Sequence, residues 1–177
     1  MDEQLRQLES LQQDEQWREA IQLTRELIAE SHENHWLLTR QSLNYHGAGR
    51  NRMALRFSEK ALKLAPHCPL VLWDYACVLR MLGRQTEVRA VYRRLLSRGV
   101  DRIANGTCGE GKRWAESLLL DCRYGIAMCY WDEDKLGMAE RYFRAHLELR
   151  RPGLPSLYSL RDVGRRIREV REARKRS

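Results

Sequence analysis

One glycine-rich stretch has the spacing of a phosphate-binding loop. Residues 106–112 have the sequence GTCGEGK, which satisfies G-x4-G-K, a pattern whose backbone N–H groups surround phosphates. Such a loop joins a strand to a helix and needs a hydroxyl group after the lysine to bind magnesium. Arg113 occupies that position, and no strand is predicted before it. We therefore predict no nucleotide site and no cofactor. Lys112 and Arg113 remain a candidate anion contact at a helix N-terminus, and a flexible turn is the alternative.

Cysteine and histidine side chains supply the remaining candidates for catalysis or metal binding. The chain has no CxxC pair, no HExxH motif and no Cys/His spacing typical of zinc sites. No histidine lies within ten residues of Cys108 in sequence, so a thiol nucleophile has no base nearby unless one approaches in space. We predict reduced thiols, no metal site and no enzyme activity, with the histidines mainly in loops or on helix surfaces. The side chains considered are Cys68, Cys77, Cys108, Cys122, Cys129, His32, His35, His46, His67 and His146.

The composition is that of a folded chain that is not embedded in a membrane. Among 177 residues, 43% are hydrophobic and 32% are charged, which is too apolar for a disordered protein. No apolar run approaches the roughly 18 to 20 residues that a membrane span needs. The N-terminus, MDEQLRQLES, is acidic and polar, unlike a signal peptide. We therefore expect a cytoplasmic protein with no membrane partner.

Charge is distributed unevenly along the chain. Residues 1–30 contain eight acidic and three basic side chains, whereas residues 161–177 contain eight basic and three acidic ones. The formal net charge of +8 favours an acidic partner or nucleic acid, although arginine-rich helix faces are commonly just solvated. A further basic stretch contains Arg80, Arg84, Arg89, Arg93, Arg94, Arg98 and Arg102.

The elements that position these side chains are predicted to be helices throughout. Apolar residues recur at spacings of three and four, and no long stretch alternates with period two. Prolines and glycines fall between the helical runs, where they end helices. The pattern predicts an all-α fold with at least eight helices, arranged in pairs.

A fixed period of 34 residues relates successive helix pairs. Ala20, Ala54 and Val88 lie 34 residues apart, as do Gly49 and Gly83, and such a period is the signature of stacked repeats. Within a pair, a small residue precedes a small or branched one by twelve positions, so that the two helices can cross closely. The three pairs are Ser42 with Ala54, Ala76 with Val88, and Ala127 with Ala139.

These residues resemble the tetratricopeptide repeat (TPR), whose unit is W-x2-L-G-x2-Y, then A-x3-F, then P. The resemblance covers residues 1–152 and implies about four units in a right-handed superhelical stack of antiparallel helix pairs. The first matching segment contains Leu38, Gln41, Ser42, Tyr45, Gly49, Ala54, Ala61, Leu64 and Pro66. The second contains Leu72, Tyr75, Ala76, Leu79, Gly83, Val88, Tyr92 and Leu95. The third contains Ile126, Ala127, Tyr130, Ala139, Phe143 and Pro152, and a degenerate first unit contains Trp17, Ala20 and Leu27.

The sequence departs from the repeat pattern at two places. Val88 and Ala139 are 51 residues apart, one period plus seventeen, which predicts an insertion loop at about 99–118 before the last unit. A helix from Lys112 through Trp131 would be longer than a normal first helix of the repeat. We assign residues 1–155 to the repeat domain and residues 156–177 to an amphipathic capping helix with a basic tail. The capping stripe contains Leu157, Leu160, Val163, Ile167 and Val170, and residues 171–177 are expected to fray.

The resemblance also implies a binding surface, because first helices of TPR units line a concave groove for a partner's peptide or helix. We therefore predict a protein-interaction scaffold or chaperone-like adaptor that binds an apolar or helical segment of a partner protein. Individual groove residues could instead pack between repeats. The alternative function is binding of RNA or an acidic partner through basic surfaces. The predicted groove contains Trp36, Thr39, Leu43, His46, Trp73, Cys77, Arg80, Tyr124, Met128 and Trp131.

Overall fold

The computed structural model describes residues 2–30 and 34–176, within which it contains nine α-helices and no strand. The all-α prediction is therefore confirmed for the described part of the chain, and His32 lies outside it. The chain divides into two compact units, residues 1–82 and 83–177. Unit 1 contains α1 (Asp2–Gln13), α2 (Trp17–Glu30), α3 (His35–Gly47), α4 (Asn51–Leu64) and α5 (Pro69–Met81). Unit 2 contains α6 (Gln85–Ala104), α7 (Lys112–Asp132), α8 (Leu136–Leu149) and α9 (Leu160–Arg176).

Four turns between helices repeat one backbone conformation. Each places one residue in the left-handed region, at Glu15, Gly49, Gly83 and Asp134, with successive spacings of 34, 34 and 51 residues. In three of them, the N–H of the next residue donates to a carbonyl five positions earlier, at 2.8 Å, as in a Schellman helix ending. The period found in the sequence therefore corresponds to a repeated turn, although only two of the four turns use glycine.

The interior of unit 1 combines apolar clusters with one buried amide. Consecutive helices pack against one another, and α3 also contacts α5. The side-chain nitrogen of Asn44 donates to the Ala20 carbonyl at 3.0 Å and to Thr24 Oγ1 at 2.8 Å. Because Asn44 and Thr24 are both buried, these bonds fix the position of α3 on α2. The two apolar clusters contain Leu8, Ala20, Leu27 and Leu37, and Ile21, Tyr45, Ala54 and Val78.

Unit 2 has the predicted long helix from Lys112, but it differs from the prediction in the earlier part of the segment assigned to an insertion loop. Most of residues 99–118 is helical, since α6 continues past a kink at Gly99 to Ala104 and α7 begins at Lys112. Only residues 105–111 lie between these helices. The extended α7 has 21 residues, whereas α3 and α5 have 13 each. The apolar spacing of Ala115, Leu118 and Leu119, all buried, explains why the segment is helical.

The C-terminal helix α9 packs against α8. Val163, Ile167 and Val170 are buried as predicted, but Leu157 and Leu160 are 74% and 58% exposed. Those two leucines were wrongly assigned to the capping stripe, because Leu157 precedes α9 and Leu160 is the exposed first residue of that helix.

The basic tail also differs from the prediction, since helix α9 continues to Arg176. Arg171 and Arg174 each donate to the Glu140 carboxylate at 2.8 Å. The hydrogen bond from Arg171 is the main reason that the pKa of Glu140 lies below its usual range. Residues 171–174 are therefore tied to α8 by charge, which an apolar pattern does not reveal.

Candidate functional site

In unit 1, the predicted groove residues form one stripe on α3 and one on α5. Trp36, Thr39, Leu43 and His46 are spaced along α3 on one face, and all are half-buried. Trp73, Cys77 and Arg80 form a similar half-buried stripe on α5. Half-buried aromatic side chains retain surface that a partner can cover.

Two of the α3 residues already have contacts within the unit. Trp36 packs against the apolar cluster that α1, α2 and α3 form, and the Arg40 guanidinium lies 5.0 Å from the centroid of its ring. The hydroxyl of Thr39 donates to the His35 carbonyl at 2.7 Å. Trp36 is therefore held in place by its neighbours, while Thr39 has its donor satisfied within the helix.

Beside the α5 stripe lies an acidic side chain that sequence analysis did not single out. The Oδ2 atom of Asp74 is buried and has no hydrogen-bond partner. Burial raises the pKa of Asp74 to about 7, and the nearby Ser42 hydroxyl acts in the opposite direction. Both side-chain polar atoms of Gln41, also on α3, are buried without a partner. Unit 1 therefore contains buried polar groups beside its candidate binding surface.

In unit 2, the predicted residues Tyr124, Met128 and Trp131 continue a longer line of side chains on α7. Arg113, Ser117 and Asp121 precede Tyr124 at spacings of three or four residues, which places all of them on one face of the helix. We call Arg113, Ser117, Asp121 and Tyr124 the α7 stripe. Met128 and Trp131, nearer the end of the helix, are half-buried.

The chain's own residues 153–158, here called the strap, lie on the α7 stripe. Arg113 donates to the Gly153 carbonyl at 2.6 Å, and the Ser117 hydroxyl donates to the Pro155 carbonyl at 2.6 Å. The Asp121 carboxylate accepts from the Ser156 hydroxyl at 2.5 Å and from the Leu157 N–H at 3.0 Å. The stripe therefore binds a chain segment through both main-chain and side-chain groups.

The strap ends in an aromatic contact. The rings of Tyr124 and Tyr158 are stacked, with centroids 3.6 Å apart and planes at 14°. Phe143 and His146 meet the Tyr124 ring edge-on at 5.2 and 5.9 Å. Tyr124 is buried, so this member of the predicted groove is already covered by Tyr158.

His146 is an exception to the expectation that the histidines lie mainly in loops or on helix surfaces, because its side chain is fully buried on α8. Its Nδ1 lies 3.0 Å from the Leu120 carbonyl, so this nitrogen is the donor. Burial lowers the pKa of His146. The ring therefore serves as a neutral packing element beneath Tyr124.

One residue of the candidate anion contact, Arg113, already forms a hydrogen bond within unit 2. Arg113 donates to the strap, as described, while Lys112 is exposed in the first turn of α7. A role of Lys112 in anion binding stays a prediction. Ser117 and Asp121 were not predictable as site residues from the sequence, since their partners lie 38 and 35 residues away in the chain.

None of the described helices is long and apolar enough to cross a membrane. Neither a family model nor a curated protein matches the chain.

Solved structures are similar to the chain in fold. BtubC (BKLC) from P. vanneervenii has a TM-score of 0.73 at 16% identity, over 95% of this chain and 70% of that chain. A double mutant of MamA RS-1 has a TM-score of 0.64 at 12% identity, over 99% and 94% of the two chains. The C-terminal part of a TPR repeat-containing protein from Cytophaga hutchinsonii has a TM-score of 0.46 at 16% identity, over 97% and 71%. The first two similarities show that the chain has a TPR-like helical-repeat fold.

Proposed function

We propose that this chain is a non-catalytic protein-binding module that binds a segment of a partner protein on the first helices of its repeats. The observation that carries the proposal is the strap, because α7 binds a chain segment there through Arg113, Ser117 and Asp121. A helix face that provides hydrogen bonds for an extended backbone can bind a partner segment in the same way.

The side chains left half-buried on these helices suit an apolar partner segment. Trp36 and Trp73 in unit 1, and Met128 and Trp131 in unit 2, have large or polarizable side chains. Tryptophan is enriched among residues that dominate binding energy, and methionine adapts to irregular apolar ligands. We therefore propose an apolar segment, extended or helical, as the ligand of these faces.

The basic surfaces support the alternative partner, RNA or an acidic protein, less well. On α8 and α9, the side chains of Arg144, Arg171 and Arg174 all bind the Glu140 carboxylate. On α6, the Arg89 guanidinium binds Glu133 at 2.5 Å and lies 4.9 Å from the Tyr130 ring centroid. These arginines have partners within unit 2, so they contribute less to the attraction of an anionic ligand.

The test compares Trp73→Ala with Leu64→Ala as a control. Leu64 is 53% exposed on α4, outside the proposed faces. A partner is first isolated from native lysate and then titrated against each purified variant. Loss of a central aromatic anchor costs about 2 kcal/mol, so we expect roughly 30-fold weaker binding for Trp73→Ala and no change for Leu64→Ala.

Circular dichroism and thermal melting verify that both variants are folded. Unchanged affinity in a folded Trp73→Ala variant would refute the role of the α5 stripe. Binding that disappears at moderate salt in all variants alike would favour the anionic partner instead.

A further inference from the structure

The strap contacts the α7 stripe at four successive positions of the helix. From Arg113 to Tyr124 the helix advances eleven residues, which is about 16 Å at the α-helical rise. From Gly153 to Tyr158 the strap advances five residues, with Gly153 in a turn at positive φ and bends at Leu157 and Tyr158. The contacts follow the same order along both segments. A non-helical segment that runs parallel to α7 can therefore form these contacts in sequence.

The contacts divide into three with main-chain groups of the strap, one of which is the Leu157 N–H that donates to Asp121, and two with side chains that select. Arg113 and Ser117 donate only to strap carbonyls, which every residue possesses. Asp121 and Tyr124, in contrast, bind the Ser156 hydroxyl and the Tyr158 ring. The stripe therefore selects a hydroxyl residue followed two positions later by an aromatic residue.

Five of the six strap residues are exposed or half-buried. Leu157 is 74% exposed, and Leu154 is the one buried residue of the strap. Helix α9 has its own attachment to α8 through buried Val163, Ile167 and Val170, and through the arginines that bind Glu140. The strap can therefore leave α7 without undocking α9, because ten residues separate α8 from α9.

We propose that the α7 stripe is a binding site for a non-helical partner segment with the pattern Ser-x-Tyr, and that the strap is a displaceable self-ligand that competes with the partner. This inference rests on the proposed protein-binding function. A tethered segment has an effective concentration of order millimolar. The strap therefore weakens partner binding until the partner makes further contacts, for which half-buried Met128 and Trp131 are available next along α7.

The experiment uses a fluorescein-labelled peptide with the sequence of residues 152–159, PGLPSLYS, and fluorescence anisotropy. Three full-length chains are compared: the wild type, the strap variant Ser156→Ala/Tyr158→Ala, and the strap variant with Asp121→Ala added. We expect the strap variant to bind the peptide at least tenfold more tightly than the wild type. Adding Asp121→Ala should remove that binding, and a peptide with alanine in place of its serine and tyrosine should not bind.

A strap variant that melts cooperatively but does not bind the peptide would overturn the proposal, since the strap would then be a fixed part of unit 2. Native-state hydrogen exchange of the wild type provides a second test that needs no variant. The Leu157 amide, which donates to Asp121, should exchange faster than amides in the middle of α7 and α9. Equal exchange rates would also overturn the proposal.

Failure of this inference can be distinguished from failure of the proposed function. The Trp73→Ala comparison concerns unit 1 and does not depend on the strap. Loss of partner binding in that variant, together with no peptide binding to α7, would support the general function and reject the self-ligand. Unchanged partner binding in Trp73→Ala, together with peptide binding to α7, would support the α7 site and reject the α5 stripe.

Discussion

Replacing Asp74 with asparagine should change the way in which stability depends on pH. Burial raises the pKa of Asp74 to about 7, from an ordinary value of 3.8. Between these two values the folded chain holds a proton on Asp74 that the unfolded chain does not. The free energy of unfolding therefore decreases as the pH rises from about 4 to about 7, and the Asp74 contribution is constant above that. An asparagine in the same place has no such dependence.

The structure sets the size of the effect. One unit of pKa corresponds to about 1.4 kcal/mol, so the full shift would amount to about 4 kcal/mol. Asp74 as a whole is only half-buried, with its Oδ2 shielded from solvent, and solvent reduces the penalty of the charged form. We therefore expect Asp74→Asn to become more stable than the wild type by about 1 to 2 kcal/mol at pH 8, and to differ little from it near pH 4.

The assay is urea unfolding followed by circular dichroism at pH 5, 6, 7 and 8, with wild type and Asp74→Asn compared at each pH. Other groups titrate in this range, but their contributions cancel in the difference between the two chains. Carboxylates such as Glu133 and Glu140, whose pKa values are lowered by arginine or lysine partners, lose their stabilising effect only at lower pH. A difference in unfolding free energy that is the same at pH 5 and pH 8 would show that Asp74 ionises normally.

Two further perturbations test packing in unit 2. A Cβ atom at Gly125 would lie 2.3 Å from Tyr92 Cε2, whereas one at Gly137 would have nothing within 4 Å. Gly125→Ala should therefore lower the free energy of unfolding by about 1 to 3 kcal/mol. Gly137→Ala should raise it by about 0.5 to 1 kcal/mol. If denaturant titration gives the same change in unfolding free energy for both variants, this explanation is wrong. Deleting residues 171–177 removes both α9 arginines from Glu140 and should cost about 1 kcal/mol, a fall of a few degrees in Tm. Deleting residues 175–177 keeps those arginines and should leave Tm unchanged, so identical melting of the two truncated chains would exclude the ion pairs as the cause.

The repeat architecture was predictable from local sequence. Helices follow from residue spacing within one or two turns. The 34-residue period singled out Ala54, and the twelve-residue spacing within a helix pair singled out Ala139; both are fully buried. Two of the four repeated turns were recognisable in the sequence by their glycines, Gly49 and Gly83. Glu15 and Asp134 adopt the same left-handed conformation in the other two turns. A non-glycine residue can adopt this conformation where the surrounding turn supports it, so the sequence contained no specific signal there.

Only the tertiary structure shows which groups cover the α7 stripe in unit 2. The α7 stripe was recognisable by its spacing near Tyr124, but Asp121 and Ser156 come together across 35 residues. Tyr158 likewise covers Tyr124 although neither residue is near the other in sequence. The raised pKa of Asp74 depends in the same way on the side chains that exclude water from it. Periodicity records which residues share a helix face, because that follows from local backbone geometry. Which group covers that face depends on how distant segments pack, and the order of residues along one helix does not encode this.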